Sequence, residues 1–228
     1  MAQALEAFAG EYEVFQDGDR IGLARLRLTA VVEGRWIFST VTEGEGGMAG
    51  FLGARIEETS TLDVADGQLG TRNYAYKQEV AWRDRERSLK VDPDSGTVEE
   101  RDRKQRWNYR AEGPVLDRHA LVLAVSQDLA DGGRVRPHAV AHKGEVSEWT
   151  FEQGAPEQVE TGVGVLEAVR LERIRDNKER RTISWHAPQF GWLPVVIEQI
   201  EPDGKQYRMQ LQRWTTPPSS AGAGGGAR

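Results

Sequence analysis

Four histidines are the residues best suited to move a proton near neutral pH, and the neighbours of each decide what it could do. Asp117 and His119 stand two apart at the head of a helical pattern, so both could face one pocket as an acid/base pair. The same Asp117 also suits a helix N-cap, which accounts for it without catalysis. His186 sits in "SWHAPQFGW", beside Trp185, and would need a second titratable group brought to it. A hydrolase or a lyase is the reaction class that either arrangement would serve. No Gly-x-Ser-x-Gly occurs to hold a serine nucleophile on a strained turn. His138 and His142 are four apart, but Pro137, Val135 and Val140 favour a strand. There the two rings lie roughly 13 Å apart, too far to chelate one ion. "DPDSGTVEE" (92–100) opens like a calcium loop and then places Thr97 and Val98 where the third acidic ligand belongs, so a hairpin turn explains it. "GEGGMAG" (44–50) lacks the spacing of a phosphate loop and reads as a flexible loop. With no cysteine in 228 residues, thiolate chemistry, Cys-ligated zinc and disulfides are all excluded. No residue is therefore assigned as catalytic or metal-binding, and no cofactor is expected.

What remains is aromatic. Trp36, Phe38, Tyr76, Trp82, Trp149, Trp185, Phe190 and Trp192 are the candidate ligand-binding residues. In a strongly curved sheet such rings could line an apolar cavity; equally they could fill an ordinary core. An enclosed cavity would take an apolar or amphipathic molecule, a lipid among them. Thirty Lys and Arg against 36 Asp and Glu give a net charge of −6, which disfavours nucleic acid and anionic membrane surfaces as partners.

The elements that would position these rings are strands. "EYEVFQ" puts Tyr12 and Val14 on one face, and "LARLRLT" alternates Ala24, Leu26 and Leu28 with arginines. "RWIFSTV", "RTISWH", "VVIEQIE" and "QYRMQLQRW" repeat the period, with "EPDG" (201–204) as a hairpin turn. Such alternation, broken by Gly and Asp turns, predicts a half-solvated antiparallel meander. "AYKQEVAWRDRERSLKV" (75–91) is dense in charge, yet Tyr74, Tyr76, Val80 and Trp82 fit one strand face, and strand is preferred. One stretch differs: "DRHALVLAVSQDLADGG" (117–133) spaces Leu121, Ala124, Val125 and Leu129 as a helical stripe, with Gly132 as its stop. A helix of about a dozen residues would plug an open side of the sheet. "ETGVGVLEAVRLER" (160–173) carries two glycines that mark a bulge or a close backbone approach. In the aromatic corner, Pro188, Gly191 and Pro194 predict a bend between two strands, with Trp185, Phe190 and Trp192 crowding it.

The order of these stretches resembles the bacterial domain-of-unknown-function 3108 family of exported proteins. The resemblance rests on "YEVFQDGDRIGLARLRL", "DRHALVLAVSQDLADGG", "VETGVGVLEAVRLER" and "ISWHAPQFGWLPVVIEQ", spanning roughly residues 9 to 213. It implies an all-β fold of curved antiparallel strands with one short helix, a barrel or half-barrel similar to lipoprotein carriers. It also implies a periplasmic or envelope location, against a cytoplasmic alternative, and a hydrophobic ligand. The expected organisation is a lead-in (1–8), one domain (9–214) and a disordered Pro/Ser/Gly/Ala tail (215–228). The chain as given shows neither a signal peptide nor a membrane span. The competing readings are an enzyme using His186 or Asp117 and His119, and a structural or protein-binding module with an exposed sheet edge.

Overall fold

The computed structural model describes residues 5–45, 53–65, 67–80, 84–175 and 180–216. The first strands are β1 (Phe8–Gln16), β2 (Asp19–Val32), β3 (Arg35–Gly44), β4 (Arg55–Ala65) and β5 (Gln68–Glu79). They continue as β6 (Arg85–Val91), β7 (Thr97–Asp102) and β8 (Gln105–Arg110). A helix, α1 (Leu121–Ala130), precedes β9 (His138–His142), β10 (Glu145–Thr161), β11 (Gly164–Ile174), β12 (Arg181–His186), β13 (Pro194–Ile200) and β14 (Gln206–Thr215).

All fourteen strands form one antiparallel sheet in the order β8 to β1, then β14 to β9. Each half is a plain meander, and the two halves join where β1 pairs with β14. The edge strands β8 and β9 are not paired with each other, so the sheet curls without closing. The short segment before α1 spans part of that seam: Thr71 N–H of β5 donates to the Val115 carbonyl, and Leu116 exchanges hydrogen bonds with Ala139 and Ala141 of β9. Glu100 of β7 accepts the Lys143 and Gly144 N–H groups at the β9–β10 turn, which ties the other edge down.

Helix α1 is the plug the sequence predicts, ten residues long. Leu121, Leu123, Ala124, Val125 and Leu129 are all buried, so its apolar surface is covered on nearly every side. Around it pack Phe8, Tyr12, Leu28, Phe38, Leu62, Val140, Leu171, Val195 and Leu211. Asp117 accepts from the N–H groups of His119 and Ala120, capping the turn that leads into the helix rather than its first residue. Gly132, at φ +71°, ends it.

The predicted corner is also present. Pro188–Phe190 form a single 3-10 turn, Gly191 has φ +62°, and Pro194 opens β13. Trp192 itself has φ +60°. A left-handed backbone costs a residue with a Cβ about 1–2 kcal/mol. Hydrogen bonds hold it there: its N–H donates to the Ala187 carbonyl, its carbonyl accepts from His186 Nδ1–H at 2.7 Å, and the Ser126 hydroxyl, which Trp192 shares with the Val122 carbonyl, lies 2.8 Å away. One arrangement is not foreseeable from the pattern. After an irregularity between Gln153 and Pro156, the tip of the β10–β11 hairpin turns back over the convex side of β12–β14. There Gly162 N–H donates to the Leu211 carbonyl, and a Cβ at Gly162 would collide with Gln212, which is the close approach its glycine marks.

Candidate functional site

Cross-strand register identifies the residues that share the concave face, because directly opposed residues point the same way. On one side the row runs Leu26, Thr40, Glu58, Tyr76, Arg87 and Asp102. On the other side Val14, Met209, Ile197, Ser184 and Leu171 form a second row. Two residues beyond Leu171 stands Arg173, opposite Phe151, with Trp149 on the same side of β10. The face thus has two ends. At one, α1 fills the space. At the other, Tyr76, Arg87, Trp149, Phe151, Arg173, Arg175, Ile197 and Met209 are only partly buried although they point inward.

A polar network marks the boundary. Ser60 Oγ lies 3.0 Å from Asp117 Oδ1 and 2.9 Å from His119 Nδ1. Thr40 Oγ1 lies 2.8 Å from His119 Nε2, and Thr71 O–H donates to Asp117 Oδ2 at 2.8 Å. Ser60 has one proton. It donates that proton to the carboxylate and accepts Nδ1–H from the imidazole, which leaves Nε2 to accept from Thr40. Asp117 and His119 therefore do converge, but the serine passes its proton to the acid, not to the base. That order does not activate a nucleophile. Burial raises the Asp117 carboxyl against the opposing effects of His119 and these hydrogen bonds. Burial lowers His119, so its imidazole is neutral and stacks on Phe38 at 4.2 Å. His186 is equally closed in. It is 1% exposed, donates to Trp192, accepts from Ser184 at 2.9 Å, and is pushed by burial down to about 4.

His138 and His142 lie at the two ends of β9, as the strand reading requires. His138 Nε2 is 2.9 Å from Asp128, which also takes Arg136. Burial works to raise Asp128, but those two partners hold it below the usual carboxylate range. Among the described residues no group of three or more His, Asp or Glu could hold a metal ion. The Asp92 carboxylate accepts from the backbone of its own hairpin turn, at Asp94 and Ser95.

The open end is rich in arginine. Arg118 donates to Glu58 at 2.5 Å and to Tyr74 at 2.8 Å, and its guanidinium lies 5.0 Å from the Tyr76 ring. Burial opposes its charge, yet Glu58 holds it more firmly protonated than an ordinary arginine. Arg85 and Arg87 share one carboxylate, Asp102. Arg87 Nε is 3.0 Å from it but is not aimed at it, and burial, Arg118 and Arg85 lower its affinity for the proton. Arg173 lies against the face of Trp149, and its buried Nε has no hydrogen-bond partner among the described residues. Burial and the neighbouring Arg175 push it down to about 9. Arg175 bonds Thr182 at 3.1 Å, and its Nε is likewise without a partner among the described residues. His142, edge-on to Trp149 at 5.9 Å, is held at about 4 by burial and by Lys143, Arg118, Arg87 and Arg173.

The expected ligand-binding rings divide among these regions. Trp36 and Phe38 join the filled end. Tyr76 and Trp149 line the open end. Trp185 lies on the convex side, opposite Arg170 and Val196, where its indole N–H donates to Glu157 of the folded-back hairpin. Phe190 and Trp192 pack at the corner over α1, and Phe190 also lines a groove of about 140 Å³ with Leu28, Leu123 and Trp214. Trp82 lies outside the described residues. A larger cleft, of about 670 Å³, runs between the β4–β5 and β6–β7 turns and residues 110–115. Of its ionic groups, Asp63 is engaged by Arg35 and Arg72, and Asp92 by its own turn. It lies away from the arginine-lined face. The arginines escape notice in sequence because polar residues are expected on alternate positions. Parity gives them away: Arg173 follows Val169 and Leu171, and Arg85 and Arg87 precede Leu89 and Val91.

Comparison with solved structures finds a similar protein in Brucella abortus, described as a β-barrel-like protein of domain of unknown function DUF1849. The match covers 95% of this chain and 100% of that one at 11% identity, with a TM-score of 0.57, which shows a shared fold. Weaker matches are a candidate lipoprotein of Parabacteroides distasonis (7% identity, 92% and 96% covered, TM-score 0.37) and a candidate exported protein with a YmcC-like fold from Bacteroides fragilis (12%, 94% and 98%, 0.35). No curated protein matches the chain. The profile of the protein-of-unknown-function family DUF3108 matches residues 11–212, almost the whole sheet, and the chain belongs to that family.

Proposed function

We propose that this is a non-enzymatic binding protein of the bacterial envelope, which takes an amphipathic ligand against the open end of its concave face. The observation that carries this reading is an inward-facing surface left half-solvated. Apolar side chains (Trp149, Phe151, Ile197, Met209) stand there beside arginines that a packed core would exclude. The envelope location rests on the family resemblance. No helix among the described residues is long and apolar enough to cross a membrane.

The test is native mass spectrometry of protein purified from a bacterial envelope, followed by organic extraction. A stoichiometric amphiphile is expected in the wild type, and its occupancy should fall sharply when Tyr76 and Trp149 are both changed to Ala. An empty protein whose melting temperature is unmoved by a panel of amphiphiles would overturn the proposal.

A further inference from the structure

An arginine drawn inward without an acid to meet it needs an explanation, since burying a guanidinium without hydrogen-bond partners costs stability. Arg173 is in that position. Its parity on β11 places it with Val169 and Leu171, its guanidinium is spread on the Trp149 ring, and its Nε is buried without a partner among the described residues. Stacking uses the flat face of the guanidinium and leaves its N–H edge free. Around it, Glu58 is taken by Arg118, Asp102 by Arg85 and Arg87, Glu100 by two backbone N–H groups, and Glu201 by Arg180. The acids of this end are thus committed, while Arg173 and Arg175 keep unused donors. A planar fork with free N–H groups fits an oxyanion, and Phe151, Ile197 and Met209 offer an apolar surface on the same face.

We infer that the open end recognises an acyl-chain amphiphile through its oxyanion head, with Arg173 as the head-group contact, Trp149 as its platform and Arg175 as the second donor. The inference rests on the binding function proposed above and adds the class of ligand. A carboxylate or a phosphate head satisfies the same donors; a choline-capped phosphate presents the same oxygens but brings a quaternary ammonium against the arginines, so it should bind more weakly.

The test titrates oleate, lysophosphatidylglycerol, lysophosphatidylcholine and inorganic phosphate, each below its micellar range, into wild type, Arg173→Gln and Arg173→Lys, with tryptophan fluorescence and calorimetry as readouts. The two anionic amphiphiles should bind wild type at least tenfold more tightly than lysophosphatidylcholine. Arg173→Gln should lose that tenfold preference, and Arg173→Lys should keep part of it. Without ligand, Arg173→Gln should melt no lower than wild type, or higher by about 2–4 °C, as expected when an unpaired buried charge is removed. Equal binding of anionic and choline-headed amphiphiles by wild type and Arg173→Gln would overturn the head-group assignment and leave the amphiphile site standing. Inorganic phosphate binding as tightly as the amphiphiles would overturn the acyl-chain part, and no binding of any amphiphile would overturn both.

Discussion

The two ends of the concave face are made by the same strands, and they differ in what stands opposite them. Where α1 is present, β-strand residues such as Phe38, Leu62, Leu171 and Leu211 are covered to within a few per cent of complete burial. Two positions further along the same face of β3, β5 and β11 stand Thr40, Tyr76 and Arg173, with Trp149 across from them on β10, and all four are only partly buried. The filled end spends its surface on stability. The open end carries charge and aromatic area at some cost to stability, and that contrast marks it as the working surface.

The sharpest way to break this comparison is to truncate one ring in each region. Phe38→Ala should cost about 3–5 kcal/mol in denaturant unfolding, because a fully packed ring leaves a cavity. Trp149→Ala should cost less than about 2 kcal/mol, since its indole is only partly removed from water. Similar losses at the two sites would mean that the open end is core as well.

Acidity probes both ends next. His186 stays neutral in the fold down to about pH 4, whereas an unfolded histidine protonates near 6.5. The unfolded state therefore binds more protons between those values, and His186 alone should lower stability by on the order of 2–3 kcal/mol as pH drops from about 6.5 to 4, with His142, also held at about 4, adding to the fall. His186→Gln should remove the His186 share of that fall and make this part of the curve shallower. A curve of unchanged shape in the variant would contradict the buried, neutral His186. At the open end His142 is held at about 4 partly by positive neighbours. A bound anion should draw it back upward, visible as a shift in its imidazole NMR titration.

Ser60→Ala tests the boundary. It removes a donor to Asp117 and the acceptor of His119 Nδ1–H, and a loss of about 1–3 kcal/mol is expected with the curled sheet retained. A neutral result would show that water replaces the hydroxyl without cost. The smallest effect belongs to the convex surface. Arg208→Gln breaks a half-buried surface pair with Glu198 and should change stability by less than about 1 kcal/mol.

Much of this was legible in the sequence, and the reason is locality. Period-two strands, the Gly132 stop, the "EPDG" turn and the Pro188–Pro194 corner are each specified by a few adjacent residues. So is the distance between His138 and His142. What was not legible depends on which face of a strand becomes concave. Trp185 and Trp149 look alike in their local patterns, yet one is covered by a hairpin folding over the convex side and the other lines the opening. Parity gives a strand two faces but does not say which one curls inward, and the return of the β10–β11 tip is a tertiary choice. Arg173 went unnoticed in the sequence although it shares the parity of Val169 and Leu171, and its meaning appears only once Trp149 lies beneath it.

The most direct test of the central claim is a two-dimensional NMR spectrum of the tryptophan indole N–H groups, assigned through Trp→Phe variants, during titration with lysophosphatidylglycerol. The account predicts that the Trp149 signal moves in step with binding while those of Trp36 and Trp185 stay in place. Displacement of Trp185 or Trp36 with Trp149 unchanged would place the ligand elsewhere and contradict the account.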